Sequence, residues 1–146
     1  MAEARARVVL AFDFGLRRIG IAVGDTVSRS ASPRRALLSP ASGPDWTAIQ
    51  REIATTGPDV LLVGAPYNDD GSPSRVAPAA NRFAVELATR SGLPVERVDE
   101  RYSSVEAAGE LKSRRASGEM RRRVRPGDVD SAAAAVILGS WLHQQN

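Results

Sequence analysis

The chain contains no cysteine, which excludes disulfides, thiolate metal sites and a cysteine nucleophile, and fits a reducing cytoplasm. Its only histidine, His143, lies near the C-terminus and reads as a solvated helix-end residue, so Ser103 has no neighbouring base in the sequence and reads as a helix cap. Aromatics make up only 5% of the residues, and Trp46 and Trp141 both fall on apolar helical faces. Any contact with nucleic acid would therefore rest on arginine rather than on base-stacking platforms. No apolar run approaches the ~20 residues of a membrane span. Met1 to Arg7 carries charge without leading into a signal-like apolar region. These absences set the expectation of a soluble cytoplasmic protein with no membrane partner.

What is present is an ordinary globular composition. With 146 residues, 42% of them apolar, the chain is expected to form a single domain over 1–146 with its own core. Net charge is only +3, yet it is unevenly spread. Between Lys112 and Arg125 stand seven basic residues (Lys112, Arg114, Arg115, Arg121, Arg122, Arg123 and Arg125) against Glu119 alone. The remaining chain holds 13 basic and 16 acidic residues, so a basic segment rides on a mildly acidic body. Such asymmetry points to a polyanion, with a plain solvated surface as the duller alternative.

Strand and helix patterns alternate. Val8–Phe14 and Arg18–Gly24 are β-rich runs close enough to form a hairpin, with Gly15 making the turn and Gly20 allowing close strand approach. Ala31–Leu38 is a weaker strand, and Pro33 suits an edge. Asp45 is a plausible N-cap for a helix that places Trp46, Ile49, Ile53 and Ala54 on one face, ended by Gly57–Pro58. Val60–Val63 reads as a buried parallel strand. Tyr67–Pro73 reads as a loop whose Asn68, Asp69, Asp70 and Gly71 form a turn beside a strand end. The next helix, from near Pro78 to Arg90, stacks Ala80, Phe83, Ala84 and Leu87. Val95–Val98 is a short strand. Ser103–Ser104–Val105–Glu106 matches a capping box, so a helix is expected directly after Glu100. A last helix spans about Val129–His143, with Ala133, Val136, Ile137, Ser140 and Trp141 at helical spacing. The order implies an α/β fold in which helices flank a mixed sheet whose later strands are parallel.

Three acids fall at junctions between these elements: Asp13 closes a strand, Glu100 closes another, and Asp130 opens the final helix. Carboxylates gathered from distant positions repel unless a cation lies between them, and hard divalent ions prefer oxygen ligands. Asp13 and Glu100, both at carboxyl strand ends, are expected on one edge of adjacent strands, where ligand sites of such sheets belong. Each acid also has a structural reading. Asp13 suits a turn paired with Arg17 or Arg18, Asp99 competes with Glu100, and Asp128 competes with Asp130 as a helix-start acid.

Four ordered segments resemble one family. Phe12–Asp13–Phe14–Gly15–Leu16–Arg17–Arg18–Ile19–Gly20–Ile21–Ala22–Val23 is similar to the opening motif of the YqgF/RuvX family of RNase H-like proteins. Val63–Gly64–Ala65–Pro66–Tyr67–Asn68–Asp69–Asp70–Gly71–Ser72 resembles its VGLPxNxDG segment, with Ala65 where leucine is common. Asp99–Glu100–Arg101–Tyr102–Ser103–Ser104–Val105–Glu106–Ala107 and Asp130–Ser131–Ala132–Ala133–Ala134 complete the set.

The resemblance implies an RNase H-like fold with a mixed five-stranded sheet. It also implies metal-dependent phosphodiester hydrolysis, with Asp13, Glu100 and Asp130 as the catalytic and metal-ligating residues and Mg²⁺ or Mn²⁺ as the ion. Substrates proposed for the family are precursor 16S ribosomal RNA and, in an older view, the Holliday junction. Arg114, Arg115, Arg121, Arg122, Arg123 and Arg125 would hold phosphates beyond the scissile bond, in a monomer or homodimer. Two rivals belong to other classes. One is a nucleic-acid-binding module without catalysis, disfavoured by the intact carboxylates. The other is a phosphotransferase, since Asp13–Phe14–Gly15 with Gly20 resembles the phosphate loop of actin-like ATPases and sugar kinases. That fold needs two such domains, more than 146 residues supply.

Overall fold

The computed structural model describes residues 6–40, 42–65, 76–99 and 126–145, and excludes the side chains of 65, 99 and 126–130. Within these residues lie five strands and three helices: β1 (Val8–Asp13), β2 (Arg18–Asp25), β3 (Ala31–Leu38), α1 (Trp46–Thr56), β4 (Val60–Ala65), α2 (Ala77–Ser91), β5 (Val95–Asp99) and α3 (Pro126–Gln144). The strands form one mixed sheet in the order β3-β2-β1-β4-β5. β1 and β2 pair antiparallel as the expected hairpin, and β3 continues that pairing as an edge strand. β4 runs parallel to β1, and β5 parallel to β4.

Local chemistry explains the element ends. The Asp45 carboxylate caps α1 by accepting from Ala48 N–H at 3.1 Å. Gly57 closes that helix with φ +60°, a left-handed conformation that other residues adopt at a cost. A Cβ on Gly15 would stand 2.5 Å from the Arg18 carbonyl oxygen, so the β1–β2 turn requires glycine there.

The sheet separates two cores. On one face α1 and α2 cover Leu10, Phe12, Phe14, Ile19, Ile21, Leu61 and Val63. The buried residues of α2 are Ala80, Phe83, Ala84 and Leu87, as the spacing predicts. A bidentate Arg34–Glu52 pair ties β3 to α1, and the Glu52 carboxylate holds the Arg34 guanidinium above its ordinary pKa. On the other face α3 covers Val9, Ala11, Ala22, Val60 and Leu62.

Three expectations need correction. Ala54 is exposed rather than part of the α1 core, because at 3.6 residues per turn it lies about 140° around the helix from buried Ile49. In α3, Ser140 is exposed and Val136 and Trp141 are half-buried, while Ala134, Leu138 and Leu142 form the fully buried row. The run from Ala132 to Leu138 is apolar almost all round, so periodicity alone does not select its inner face. Gly24 helps select it: a Cβ there would come within 3.1 Å of Leu142 Cδ1 and 3.3 Å of Leu138 Cδ2, so the notch on β2 receives that row. Third, α3 begins at Pro126, three residues before the expected start, so Asp130 lies in its second turn and does not open it. The expected helix after Glu100, with its capping box, and the Asn68–Gly71 turn lie outside the described residues.

Candidate functional site

Asp13 is the last residue of β1, the central strand, and its backbone is held on both sides. It stands in register with Gly20 of β2 and Gly64 of β4, and Phe14 N–H donates to the Gly64 carbonyl at 2.9 Å just beyond. Phe12 and Phe14 belong to the core under α1 and α2, whereas Val9 and Ala11 face α3. Strand alternation therefore puts the Asp13 side chain on the α3 face, where it is only 7% exposed. Its two register neighbours are glycines, which leave room for groups larger than a methyl beside the carboxylate.

α3 reaches the same face. Ala133 and Ala134 are fully buried, so the helix lies close against the sheet as its small residues suggest. Ser131 is 3% exposed, and its Oγ accepts from Ile21 N–H at 3.3 Å. That bond falls where the β2–β3 ladder shifts register between Ile19 and Ile21. Ser131 thereby fixes the helix against β2 one residue after Asp130. In the sequence, the signal for this role is a lone hydroxyl before a run of alanines, which the motif alone does not single out.

The edge geometry also corrects an expectation. β1 and β5 are not adjacent: β4 lies between them, so their carboxyl ends are two strand spacings apart, roughly 10 Å. Val98, two residues before Glu100, packs on the α3 side, while Arg97 turns to the other face to reach the Val63 carbonyl at 3.1 Å and Asn81 of α2. Glu100 and the basic residues Arg114, Arg115, Arg121, Arg122, Arg123 and Arg125 lie outside the described residues, as does the side chain of Asp130. Among the described residues no cluster of three acids or histidines forms, and no helix is long and apolar enough to cross a membrane. Asp13 is the one predicted ligand whose side chain is described. A buried carboxylate between two glycines at the carboxyl edge of a parallel pair fits the oxygen donor that a hard divalent ion takes.

Comparison with known proteins adds the family. A family model described as "RuvX: Holliday junction resolvase" matches residues 7–144. A protein of Coxiella burnetii named "Putative pre-16S rRNA nuclease" is 44% identical over 138 residues, covering 94% of each chain. A Nitrosococcus oceani protein of the same name is 43% identical over 141 residues, 97% of this chain and 90% of that one.

Among solved structures, fowlpox virus resolvase with Holliday junction DNA aligns with TM-score 0.53 at 11% identity, over 93% of this chain and 97% of that one. RuvC of T. thermophilus with a Holliday junction substrate aligns with TM-score 0.51 at 18% identity, over 90% and 92%. At these identities the likeness establishes the fold, an RNase H-like mixed sheet flanked by helices. The sequence relatives and the family match extend over almost the whole chain, and this protein belongs to the RuvX family.

Proposed function

We propose that this protein is a metal-dependent endonuclease that hydrolyses phosphodiester bonds of structured nucleic acid, with precursor 16S ribosomal RNA in the cytoplasm as its substrate. The observation that carries the reading is Asp13: a nearly buried carboxylate at the end of the central strand, on the face that α3 covers. Relatives that carry the name "Putative pre-16S rRNA nuclease" and match over nearly the whole chain support the substrate.

In this reading Asp13, Glu100 and Asp130 would hold Mg²⁺ or Mn²⁺. Bound divalent ions supply an attacking water of lowered pKa and charge compensation at the leaving oxygen. The chain's own part is to keep the ligands in place. β2 and β4 hold Asp13 of β1 from both sides, and the Ser131–Ile21 bond limits sliding of the helix that carries Asp130. Arg114, Arg115, Arg121, Arg122, Arg123 and Arg125 would grip phosphates away from the scissile bond, as point contacts that carry no base information.

Cleavage of branched DNA is the second reading, favoured by the description of the family model. One assay decides: purified protein with Mg²⁺ or Mn²⁺ against precursor 16S RNA and a four-way DNA junction, side by side. Metal-dependent cuts in the RNA alone support the first reading, and cuts in the junction alone support the second. Binding of either substrate without any cleavage would overturn both and leave a binding module.

A further inference from the structure

On the sheet face opposite Asp13 lies a cavity of about 760 Å³, built where the β1–β2 turn, the end of β3 and the first turns of α1 and α2 meet. Its size falls in the range of small-molecule sites. Phe14 and Trp46 form part of its apolar wall, and Leu16 and Leu38 contribute to the lining while remaining 53% and 69% exposed. Leaving two leucines so open costs hydrophobic free energy that a bound apolar group would recover.

The polar side chains are few: two arginines, one glutamate and one serine. Arg17 and Arg82 line the cavity, and among the described residues neither guanidinium has a carboxylate partner. The acid on the wall, Glu86, is already paired with Arg90 at 3.2 Å, and that guanidinium sits 4.5 Å from the Trp46 ring centroid. Ser39, on the same wall, is 4% exposed, and its hydroxyl has no hydrogen-bond partner among the described residues. Buried hydroxyls are normally satisfied, so one without a partner on a residue that lines a cavity offers a place for a ligand's polar atom.

We propose that this cavity binds one unpaired nucleotide of the nucleic-acid substrate. The base would lie between Leu16 and Leu38, a base edge would bond the Ser39 hydroxyl, and the phosphate would meet Arg17 and Arg82. Continuity with the proposed cleavage site favours a nucleotide over other anionic ligands. Phe14 of the cavity wall directly follows Asp13, so the opening and the proposed cleavage site share the carboxyl end of β1 while facing opposite sides of the sheet, and one strand could reach both around that edge. The inference rests on the nuclease reading for the identity of the polymer, while the cavity's ligand chemistry stands on the residues named.

The test is ¹⁵N-resolved NMR titration of the full-length protein in calcium, with a single-stranded uridylate hexamer, with uridine monophosphate and with inorganic phosphate as separate probes. Shifts are expected at the Trp46 indole N–H and the Ser39 amide with the hexamer and, at higher concentration, with the mononucleotide. Arg17→Ala and Arg82→Ala should each weaken the hexamer by about tenfold. Shifts confined to residues outside the cavity, shifts with phosphate equal to those with the mononucleotide, or binding unaffected by both arginine changes would overturn the proposal. So would cavity shifts that follow protein concentration without any probe, which would mean that a second copy of the chain fills it. Cavity binding by a protein that cleaves nothing would sink the nuclease reading and keep this one; cleavage without cavity shifts would do the reverse.

Discussion

Ser131 Oγ accepts from Ile21 N–H at 3.3 Å, a buried hydrogen bond that joins α3 to β2 beside the proposed cleavage centre. Replacing Ser131 with alanine leaves a buried N–H unsatisfied, which is expected to cost about 1–2 kcal/mol. Chemical denaturation of Ser131→Ala measures that loss. Cleavage should fall further than stability explains, because the helix that carries Asp130 loses its stop. Activity equal to wild type in a fully folded sample would mean that the bond serves packing alone.

Asp13→Asn keeps the size and polarity of the side chain and removes its charge. Charge compensation by a bound metal is worth several kcal/mol in a transition state, so cleavage should drop by about 10³-fold or more. Circular dichroism should still report a folded protein, since register bonds on both sides hold the backbone at this position. An unfolded variant, or one with full activity, would make Asp13 a structural residue.

Metal binding should be visible without any substrate. An ion that binds only the native state stabilises it by about 2.7 kcal/mol at a concentration one hundred times its Kd. Mg²⁺ or Mn²⁺ at millimolar concentration should raise the melting temperature, chelation should reverse the gain, and Glu100→Gln combined with Asp130→Asn should abolish it. A melting curve indifferent to both ions would count against a metal-dependent mechanism.

Gly24→Ala tests how closely α3 must approach. The added Cβ would collide with the Ser30 carbonyl oxygen and crowd Leu142 and Leu138, for an expected loss of about 1–3 kcal/mol. The backbone clash falls on the β2–β3 connection and the side-chain crowding on α3, so any loss of cleavage should accompany the loss of stability. A melting temperature equal to that of wild type would show that the sheet gives way at this point and the helix stays put.

The basic segment makes a separate prediction. Changing Arg121, Arg122 and Arg123 to alanine should weaken binding to all sequences alike and flatten the log–log salt dependence on duplex substrates by up to about 2–3. A salt titration in calcium reads this without cleavage. An unchanged slope would assign those arginines to solvent.

Much of the architecture is legible in the sequence because local signals agree with it. Asp45, Gly57 and Gly92 mark helix ends by chemistry that needs no tertiary contact, and the spacing of Ala80, Phe83, Ala84 and Leu87 names the inner face of α2 outright. The order of strands is a different matter. Which strand stands between Asp13 and the end of β5 depends on pairing across long stretches of chain, and motif order is silent about it. α3 illustrates the same limit, since a helix apolar on nearly every side is oriented by the Gly24 notch rather than by its own pattern. The cavity was invisible for a related reason: Leu16, Ser39, Trp46 and Arg82 come from four separate elements or turns, and nothing in their spacing links them.

α3 follows all five strands in chain order, yet it covers the face formed by β1, β2 and β4. During synthesis the sheet can assemble, and α1 and α2 can cover their side, while Val9, Ala11, Ala22 and Leu62 still look onto water. Among the described residues, this face of the sheet therefore gains its cover only when the last helix emerges from the ribosome. Such a nascent chain would expose an apolar surface for chaperones to recognise, and Asp13 would lie open on that face. On the nuclease reading proposed above, cleavage would have to wait for that last helix to reach the sheet.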